Sequence, residues 1–466
     1  MSKIDRHALF YKLTEIGVSQ KMLNTLKKLY EGSTSRVWGQ EGLSGKFETG
    51  AGVKQGCLLS PLLFSLFIND LEEYLDGGIS VGGICIKLLA YADDIVLLAP
   101  DRVSMRRMIA NLETYCERWN LQVNLQKSEI MIFRRGGRIS RHDAWRYNNE
   151  PIKVVGSYKY LGVNLSSQLS LSRHFKEKAS AAKISLNVFN GLLAQNNIQF
   201  KQKLDVFEAV SRSIICYGAQ VWGGRMVDVV EKVQRLFLKK VFNLPLWAPD
   251  YCLFLETGVS PLLVHTLKLH LKYVHRCLSL PDHRYPCILM KKVIEKKIFI
   301  YNDWLELQTV FGIPASSIPS CNVLAVVNRV KEGLSESFGR RRMRSQRCSI
   351  YPELANFTDY IHHQGDFTLV KWFLKARTEL IRLNKYSFSQ AVKICSLCNM
   401  KEEEDVPHFI ARCPILSEIR RRQLNNSILT TQELRSRLNG QDWEAVGRYC
   451  KEAWQYRYSL VQEYNF

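Results

Sequence analysis

Tyr91-Ala92-Asp93-Asp94 sets two adjacent carboxylates between apolar segments at 86–90 and 95–99. β-rich apolar runs on both sides read as a hairpin whose turn holds negative charge above a buried sheet. Crowded carboxylates repel unless something positive sits among them, and a divalent cation meets that need. Hard oxygen ligands suit Mg2+, and Mg2+ on paired aspartates suits phosphoryl or nucleotidyl transfer. An isolated Asp-Asp pair reads equally as a solvated turn. The tight apolar bracketing and the motifs on either side favour chemistry.

A second constellation is Cys395-x2-Cys398-x9-His408-x4-Cys413. Two close cysteines followed by a histidine and a cysteine offer four N/S ligands for tetrahedral Zn2+. The alternative is a set of scattered core cysteines. Thirteen cysteines, an odd and mostly dispersed set, argue for reduced thiols with one metal site rather than a disulfide framework. Such a site has no open coordination position and is structural, not catalytic. Glu402-Glu403-Glu404-Asp405 lie inside its loop and would repel phosphate, so contact with protein or RNA is expected through another face.

The elements that position these residues follow from periodicity. Short amphipathic helices at 9–16 and 22–30 flank Gly17, and residues 37–50 alternate like a strand pair. Ser60 is expected to cap a helix with Pro61 in its first turn. Leu63, Phe64, Phe67, Ile68, Leu71, Tyr74 and Leu75 recur at helical spacing until Gly77-Gly78. After the Asp-Asp hairpin, a helix at 101–119 shows Met105, Met108, Ile109, Leu112, Cys116 and Trp119 on one face. Segments 121–124 and 130–133 read as a second hairpin around Lys127. Residues 134–149 read as a polar, basic stretch, and 158–163 as a short strand. Helices on one face of an antiparallel sheet make this an α+β domain. Beyond it the pattern is mostly helical to about 243, with a further helix at 260–280.

The 466 residues leave room for several domains, and 46% apolar content with 23% charged residues is that of a folded chain. A net charge of +21 calls for an anionic partner, nucleic acid first, through counterion release. An anionic membrane surface is second, but no apolar run approaches a membrane span and residues 1–10 lack a secretory core. The expectation is no membrane association and an intracellular location, in nucleus, cytoplasm or both.

Taken together, these pieces resemble the reverse transcriptase of a non-LTR (LINE-type) retrotransposon, over roughly residues 3–280 and a C-terminal finger. Gly52-Val53-Lys54-Gln55-Gly56-Cys57-Leu58-Leu59-Ser60-Pro61 resembles the family's G-x-x-Q-G-x-x-x-S-P motif, which holds template and incoming nucleotide. Glycines there let backbone N–H groups approach phosphate or ribose, and Gln55 offers both donor and acceptor. Tyr91, Ala92, Asp93 and Asp94 match the Y/F-A-D-D box, whose first Asp is a catalytic metal ligand and whose second supports it. Lys127 stands where the family carries a lysine that can protonate pyrophosphate. Tyr158-Lys159-Tyr160-Leu161-Gly162-Val163 is similar to the K-Y-L-G segment that grips the primer end. The implied cofactors are Mg2+ at the polymerase site and structural Zn2+. The implied partners are an RNA template, a DNA primer and dNTP.

The resemblance has one departure. Family members carry another metal-binding aspartate in a Phe-Asp motif just upstream of a segment like Lys3-Ile4-Asp5-Arg6-His7. Here Met1-Ser2 occupies that place, and Asp5 reads better as a surface residue or helix cap. The expectation is a truncated copy or incomplete gene product, inactive alone unless a partner chain supplies the missing strand. The alternative is a nonenzymatic RNA/DNA-binding protein. The expected layout is an incomplete palm at 1–165, a helical thumb at 166–280 and a basic connector at 281–390. A zinc finger at 391–420 and a helical tail at 421–466 complete it.

Three basic patches fit nucleic acid. Lys232, Arg235 and Lys239 share one face of an expected thumb helix, opposite Val233, Leu236, Phe237 and Val241. Arg340-Arg341-Arg342-Met343-Arg344 reads as a nucleic-acid or nuclear-targeting run, or a disordered basic linker. Arg420-Arg421-Arg422 could reach RNA beside the finger. Trp222, Trp247 and Trp372 sit in apolar patterns and read as core.

Overall fold

The computed structural model describes residues 4–40, 42–54, 56–134, 144–314, 318–345, 348–386 and 393–463. It divides into two compact units, Met1–Leu171 and Ser172–Phe466. Among the described residues no single helix is long and apolar enough to cross a membrane.

The first unit mixes helices with small sheets. Helices α1 (Arg6–Glu15) and α2 (Gln20–Tyr30) come first. A nested ribbon follows, in which β1 (Thr34–Ser35) pairs with β4 (Phe47–Glu48) and β2 (Trp38–Gly39) with β3 (Gly42–Leu43). Asp5 caps α1, accepting from the backbone N–H groups of His7 and Ala8. Next come α3 (Ser60–Phe67) and α4 (Leu71–Tyr74), then the hairpins β5 (Ile79–Val81)–β6 (Ile84–Ile86) and β7 (Leu88–Tyr91)–β8 (Asp94–Leu97). Helix α5 (Arg102–Arg118) starts at Asp101, whose carboxylate accepts from Ser104 N–H, and buries Met108, Ile109, Tyr115 and Cys116. Strands β9 (Glu129–Met131), β10 (Trp145–Tyr147) and β11 (Glu150–Val155) form one sheet, and β12 (Ser157–Tyr160) pairs with β13 (Val163–Ser166).

Five expectations change here. The helix expected to run to Leu75 breaks after Phe67, and a buried ammonium explains why. Lys12 Nζ donates to the Phe67 carbonyl at 2.7 Å and to Asp70 at 2.6 Å, and Tyr115 Oη donates to Asp70 at 2.7 Å. A carbonyl claimed by a cation is lost to the helical ladder, so the chain turns and restarts. Ser60 is the first helical residue rather than the cap, and its hydroxyl donates to the Lys54 carbonyl at 2.5 Å. The hairpin expected around Lys127 does not form: β9 lies parallel to β11 instead. The basic stretch 134–149 contains a strand, because Trp145 and Tyr147 are buried against Ile109. The sheets are several small ladders, the largest being the mixed order β10-β11-β9, rather than one antiparallel sheet.

The second unit is helical. Its first part runs through α6 (Ser172–Val188), α7 (Asn190–Ala194), α8 (Phe200–Val206), a π turn at Phe207–Arg212, α9 (Ser213–Ile215) and α10 (Ala219–Trp222). Then come α11 (Asp228–Val241), α12 (Asp250–Thr257), α13 (Leu262–Leu278), α14 (Tyr285–Glu295), α15 (Phe299–Phe311) and α16 (Val323–Met343). The last part holds α17 (Phe367–Arg377), α18 (Ser417–Leu424), α19 (Thr431–Leu438) and α20 (Trp443–Glu463). The stretch read as a connector is therefore built largely of helices. Leu267, Leu271, Val274, Trp304, Leu307 and Val330 from α13, α15 and α16 share one core, each burial contributing about 1.5–3 kcal/mol. A buried ion pair ties α12 to α17: Arg377 Nε donates to Glu256 at 2.8 Å, and Tyr360 Oη donates to the same carboxylate at 2.5 Å.

Candidate functional site

Tyr91 pairs with Asp94 across the β7–β8 ladder, leaving Ala92 and Asp93 as a two-residue turn. Ala92 adopts φ +54°, a left-handed conformation costing roughly 1–2 kcal/mol for a residue with a Cβ. The hairpin is covered on one face only. Leu88, Ile95 and Leu97 pack toward Leu71, Leu75, Met108 and Tyr115, while Leu89 and Tyr91 are exposed, so the sheet is half-solvated rather than buried. Both aspartates are exposed. Among the described residues neither side chain has a hydrogen bond or ion pair, so their charges are uncompensated by protein and open to a cation.

A second hairpin turn joins β12 to β13. Tyr160 pairs with Val163, and the turn residues Leu161 and Gly162 both have positive φ, +45° and +79°. Burial, then the negative charge of Asp94, raises the Tyr160 phenol above its ordinary range, so Tyr160 lies within electrostatic reach of Asp94. Tyr158 Oη donates to the Lys127 carbonyl at 3.4 Å. Lys127 occupies a turn, its N–H bonded to the Asn124 carbonyl at 3.1 Å, and its side chain is exposed.

The loop 51–54 is pinned from α1 and α2. Arg6 donates to the carbonyls of Gly52 at 3.0 Å, Ala51 at 3.3 Å and Tyr30 at 3.3 Å, and Lys54 Nζ donates to the Leu29 carbonyl at 2.7 Å. Gly56 has φ +82°, which a side chain would strain. Gln55 lies outside the described residues.

Cys395, Cys398, His408 and Cys413 are all buried, with ligand atoms within 4.8 Å of one another. A tetrahedron with metal–sulfur bonds of about 2.3 Å has edges of about 3.8 Å, so small adjustments would close this set on a metal. The local chain explains the convergence. Leu397 N–H donates to Cys395 Sγ at 3.4 Å, making a tight knuckle, and a five-residue π turn at His408–Arg412 brings Cys413 N–H to the His408 carbonyl at 2.8 Å. Cys395 donates to Cys413, which, with burial, pushes Cys395 up to about 12 and moves Cys413 down. His408 Nδ1 donates to Glu402 at 2.9 Å, leaving Nε2 toward Cys398 Sγ at 3.4 Å.

Residues 2–165 match the reverse transcriptase (RNA-dependent DNA polymerase) family. The RNA-directed DNA polymerase from mobile element jockey of Drosophila melanogaster is 25% identical over 196 residues, 41% of this chain and 21% of that protein. The jockey counterpart of Drosophila funebris is 24% identical over 248 residues, 51% of this chain and 26% of that protein. The probable RNA-directed DNA polymerase from transposon BS of Drosophila melanogaster is 30% identical over 188 residues, 37% of this chain and 20% of that protein. This part of the chain is a reverse transcriptase domain of the non-LTR retrotransposon kind. The chain spans about a fifth to a quarter of the length of these relatives.

The reverse transcriptase domain contains both hairpin turns and the glycine loop; the cysteine cluster lies in the second unit. Four features of that unit were not legible from motifs. Glu402, Glu403, Glu404 and Asp405 are all engaged by protein: Glu402 by His408 and Arg412, Glu404 by Arg457 at 2.6 Å, and Glu403 and Asp405 by Lys385 at 3.4 Å. Arg420 is fully buried and donates to the carbonyls of Ile410 at 2.7 Å and Cys413 at 2.9 Å, so it braces the cluster and is not available to RNA. The Arg340–Arg344 run is the end of α16, neither disordered nor free: Arg341 pairs with Asp250 at 2.6 Å and Arg342 donates to Asn356 at 2.8 Å. The stripe on α11 is partly neutralised, with Lys232 on Asp228 at 2.7 Å and Arg235 shared between Asp228 and Asp250. Lys183, Lys232, Arg235 and Lys239 still line one cleft.

Proposed function

We propose that this chain acts in RNA-directed DNA synthesis, with Asp93 and Asp94 as metal-holding carboxylates. The observation that supports this most is the uncompensated Asp-Asp turn, with Asp94 in electrostatic reach of Tyr160, within a reverse transcriptase domain. Exposed hard oxygens suit Mg2+, which when bound would lower the charge on a triphosphate and favour attack by a primer 3′-hydroxyl. Tyr91, Ala92, Tyr160, Leu161 and Gly162 would position the primer end, and Gln55 with Gly56 the template and nucleotide. Lys127 would donate a proton to the departing pyrophosphate. Asp5 is occupied as a helix cap, so a third carboxylate would come from another polypeptide segment, in this protein or a partner chain. The helices at 172–280 would act as the thumb on the template–primer duplex, through the Lys183–Lys239 cleft. Cys395, Cys398, His408 and Cys413 would hold structural Zn2+, and the protein would work inside the cell, in nucleus or cytoplasm.

The test is Mg2+-dependent primer extension on an RNA template with the full chain and an Asp93→Ala/Asp94→Ala control. Extension abolished by the double substitution upholds the proposal. A folded chain that binds RNA with salt sensitivity but extends nothing overturns it in favour of a nonenzymatic nucleic-acid-binding protein.

A further inference from the structure

In the second unit, α17 and α20 pack side by side and present basic and aromatic side chains together, and Arg457, next to Tyr458, reaches back to Glu404 in the cysteine-cluster loop at 2.6 Å. Trp372 of α17 lies 5.7 Å from Trp454 of α20 between ring centroids, and Trp454 stacks on Tyr458 one turn later, at 5.4 Å with planes 16° apart. Tyr458 is 51% exposed, and Trp372 and Trp454 are half-buried. Trp372 is therefore not simple core, unlike Trp222, which is 2% exposed.

The cations adjoin the rings. Lys375 Nζ sits 5.0 Å over Trp372. Burial, then the charges of Lys371 and Arg382, hold Lys375 down to about 8. Lys371 reaches Asn196 at 2.8 Å and shares the field of Asp366, the cap of α17. Among the described residues Lys375 and Arg382 form no ion pair or hydrogen bond through their side chains. Lys371 and Arg382 thus crowd Lys375, while Asp366 beside Lys371 is shared with Lys451 at 3.9 Å, and an external anion would relieve the repulsion. An acidic peptide would satisfy the charges but leave the exposed ring of Tyr458 without use. A polyanion that also carries flat π faces satisfies both features.

We propose that this face binds single-stranded nucleic acid, with a base stacked on Tyr458 at the edge of the Trp454–Trp372 row and phosphates on Lys371, Lys375 and Arg382. Its residues belong to the second unit, outside the stretch that matches the reverse transcriptase family, and binding there does not depend on catalysis. Stacking makes it tolerant of sequence, and the lysines make it salt-dependent.

The experiment is photocrosslinking of the full chain to a short oligonucleotide bearing 5-iodouridine, with the crosslinked peptides mapped by mass spectrometry. Crosslinks to the peptide holding Trp454 and Tyr458 are expected. Tyr458→Ala should lower that yield about tenfold, as loss of one base stack does, while Tyr458→Phe retains it. Lys375→Ala/Arg382→Ala should lower it most at low salt and progressively less as salt rises, because the variant's salt dependence is shallower. Tyr458 is exposed, so its variants leave the fold intact. Crosslinks confined to other peptides, or a yield unmoved by Tyr458→Ala, overturn the proposal. So does displacement of the oligonucleotide by polyglutamate as readily as by unlabelled oligouridine, which would make the face a docking site for an acidic protein.

Discussion

Glu402 takes the Nδ1 proton of His408 at 2.9 Å while Arg412 holds the same carboxylate at 3.0 Å. A carboxylate is acceptor only, so this contact fixes the tautomer and aims Nε2 at the cysteines. Outer partners of this type contribute about 10–100-fold to metal affinity. Glu402→Gln should therefore weaken zinc binding by that order in a chelator competition with the folded chain. An unchanged affinity would mean that Glu402 has no part in orienting His408.

Arg420 and Arg421 are neighbours in sequence with opposite situations. Arg420→Ala would leave the buried carbonyls of Ile410, Cys413 and Ser427 without a donor, a loss of about 3 kcal/mol or more. Arg421, exposed and, among the described residues, paired with Glu418 alone, should give less than about 0.5 kcal/mol on the same change. Urea unfolding of the two variants decides the matter. Equal stabilities would restore Arg420 as a surface residue free to meet RNA.

Lys12 lies under three aromatic rings, 3.9 Å from the Trp119 centroid, and its ammonium holds Phe67 and Asp70. Lys12→Met keeps the stem but removes the charge. Because Asp70 retains 32% side-chain exposure, the loss should be about 2 kcal/mol rather than the 3–5 typical of a fully buried pair. The first unit should melt earlier by circular dichroism. A variant as stable as the parent would show the ammonium is not what ends α3.

Lys203 is buried, donates to the Gln195 carbonyl at 2.5 Å and sits 4.3 Å over Phe367. Burial, then Lys371, lowers it from 10.5 to about 8. Below about 8 both folded and unfolded chains carry the proton, and the folded state bears the cost of the buried cation. Between about 8 and 10.5 the unfolded chain binds more proton, so this group makes folding more favourable as pH rises. The stability of the parent relative to Lys203→Met should rise by about 3 kcal/mol over that window, since the ammonium is fully buried. Urea midpoints at several pH values measure the difference; a gap independent of pH would refute the lowered value.

Much of the first unit was legible because its signals are local. Apolar runs on both sides of Asp93 and Asp94 announced the β7–β8 hairpin, and Met108, Ile109 and Cys116 at helical spacing announced α5. What escaped was non-local. Nothing near Phe67 says that Lys12, more than fifty residues away, will take its carbonyl and stop the helix. Trp145 and Tyr147 looked like residues of a polar linker because their burial depends on Ile109 and on pairing with β11. In the second unit the cysteine spacing pointed to a metal cluster, and the four thiol and imidazole groups do converge. Charge runs were the least informative signal. Arg340–Arg344 and Arg420–Arg422 look alike as strings, yet one closes a helix against Asp250 and Asn356 and the other begins with a fully buried guanidinium.

The pairing of Arg377 with Glu256 spans 121 positions of sequence and is sealed from water on both sides. Mutations in a chain of several modules are easily pictured as eroding one module at a time. This contact gives the helices before 280 and those after 360 a shared fate. A frameshift or stop that removes Arg377 strands a buried carboxylate in α12, so damage in the tail would be registered far upstream, as loss of the whole helical unit.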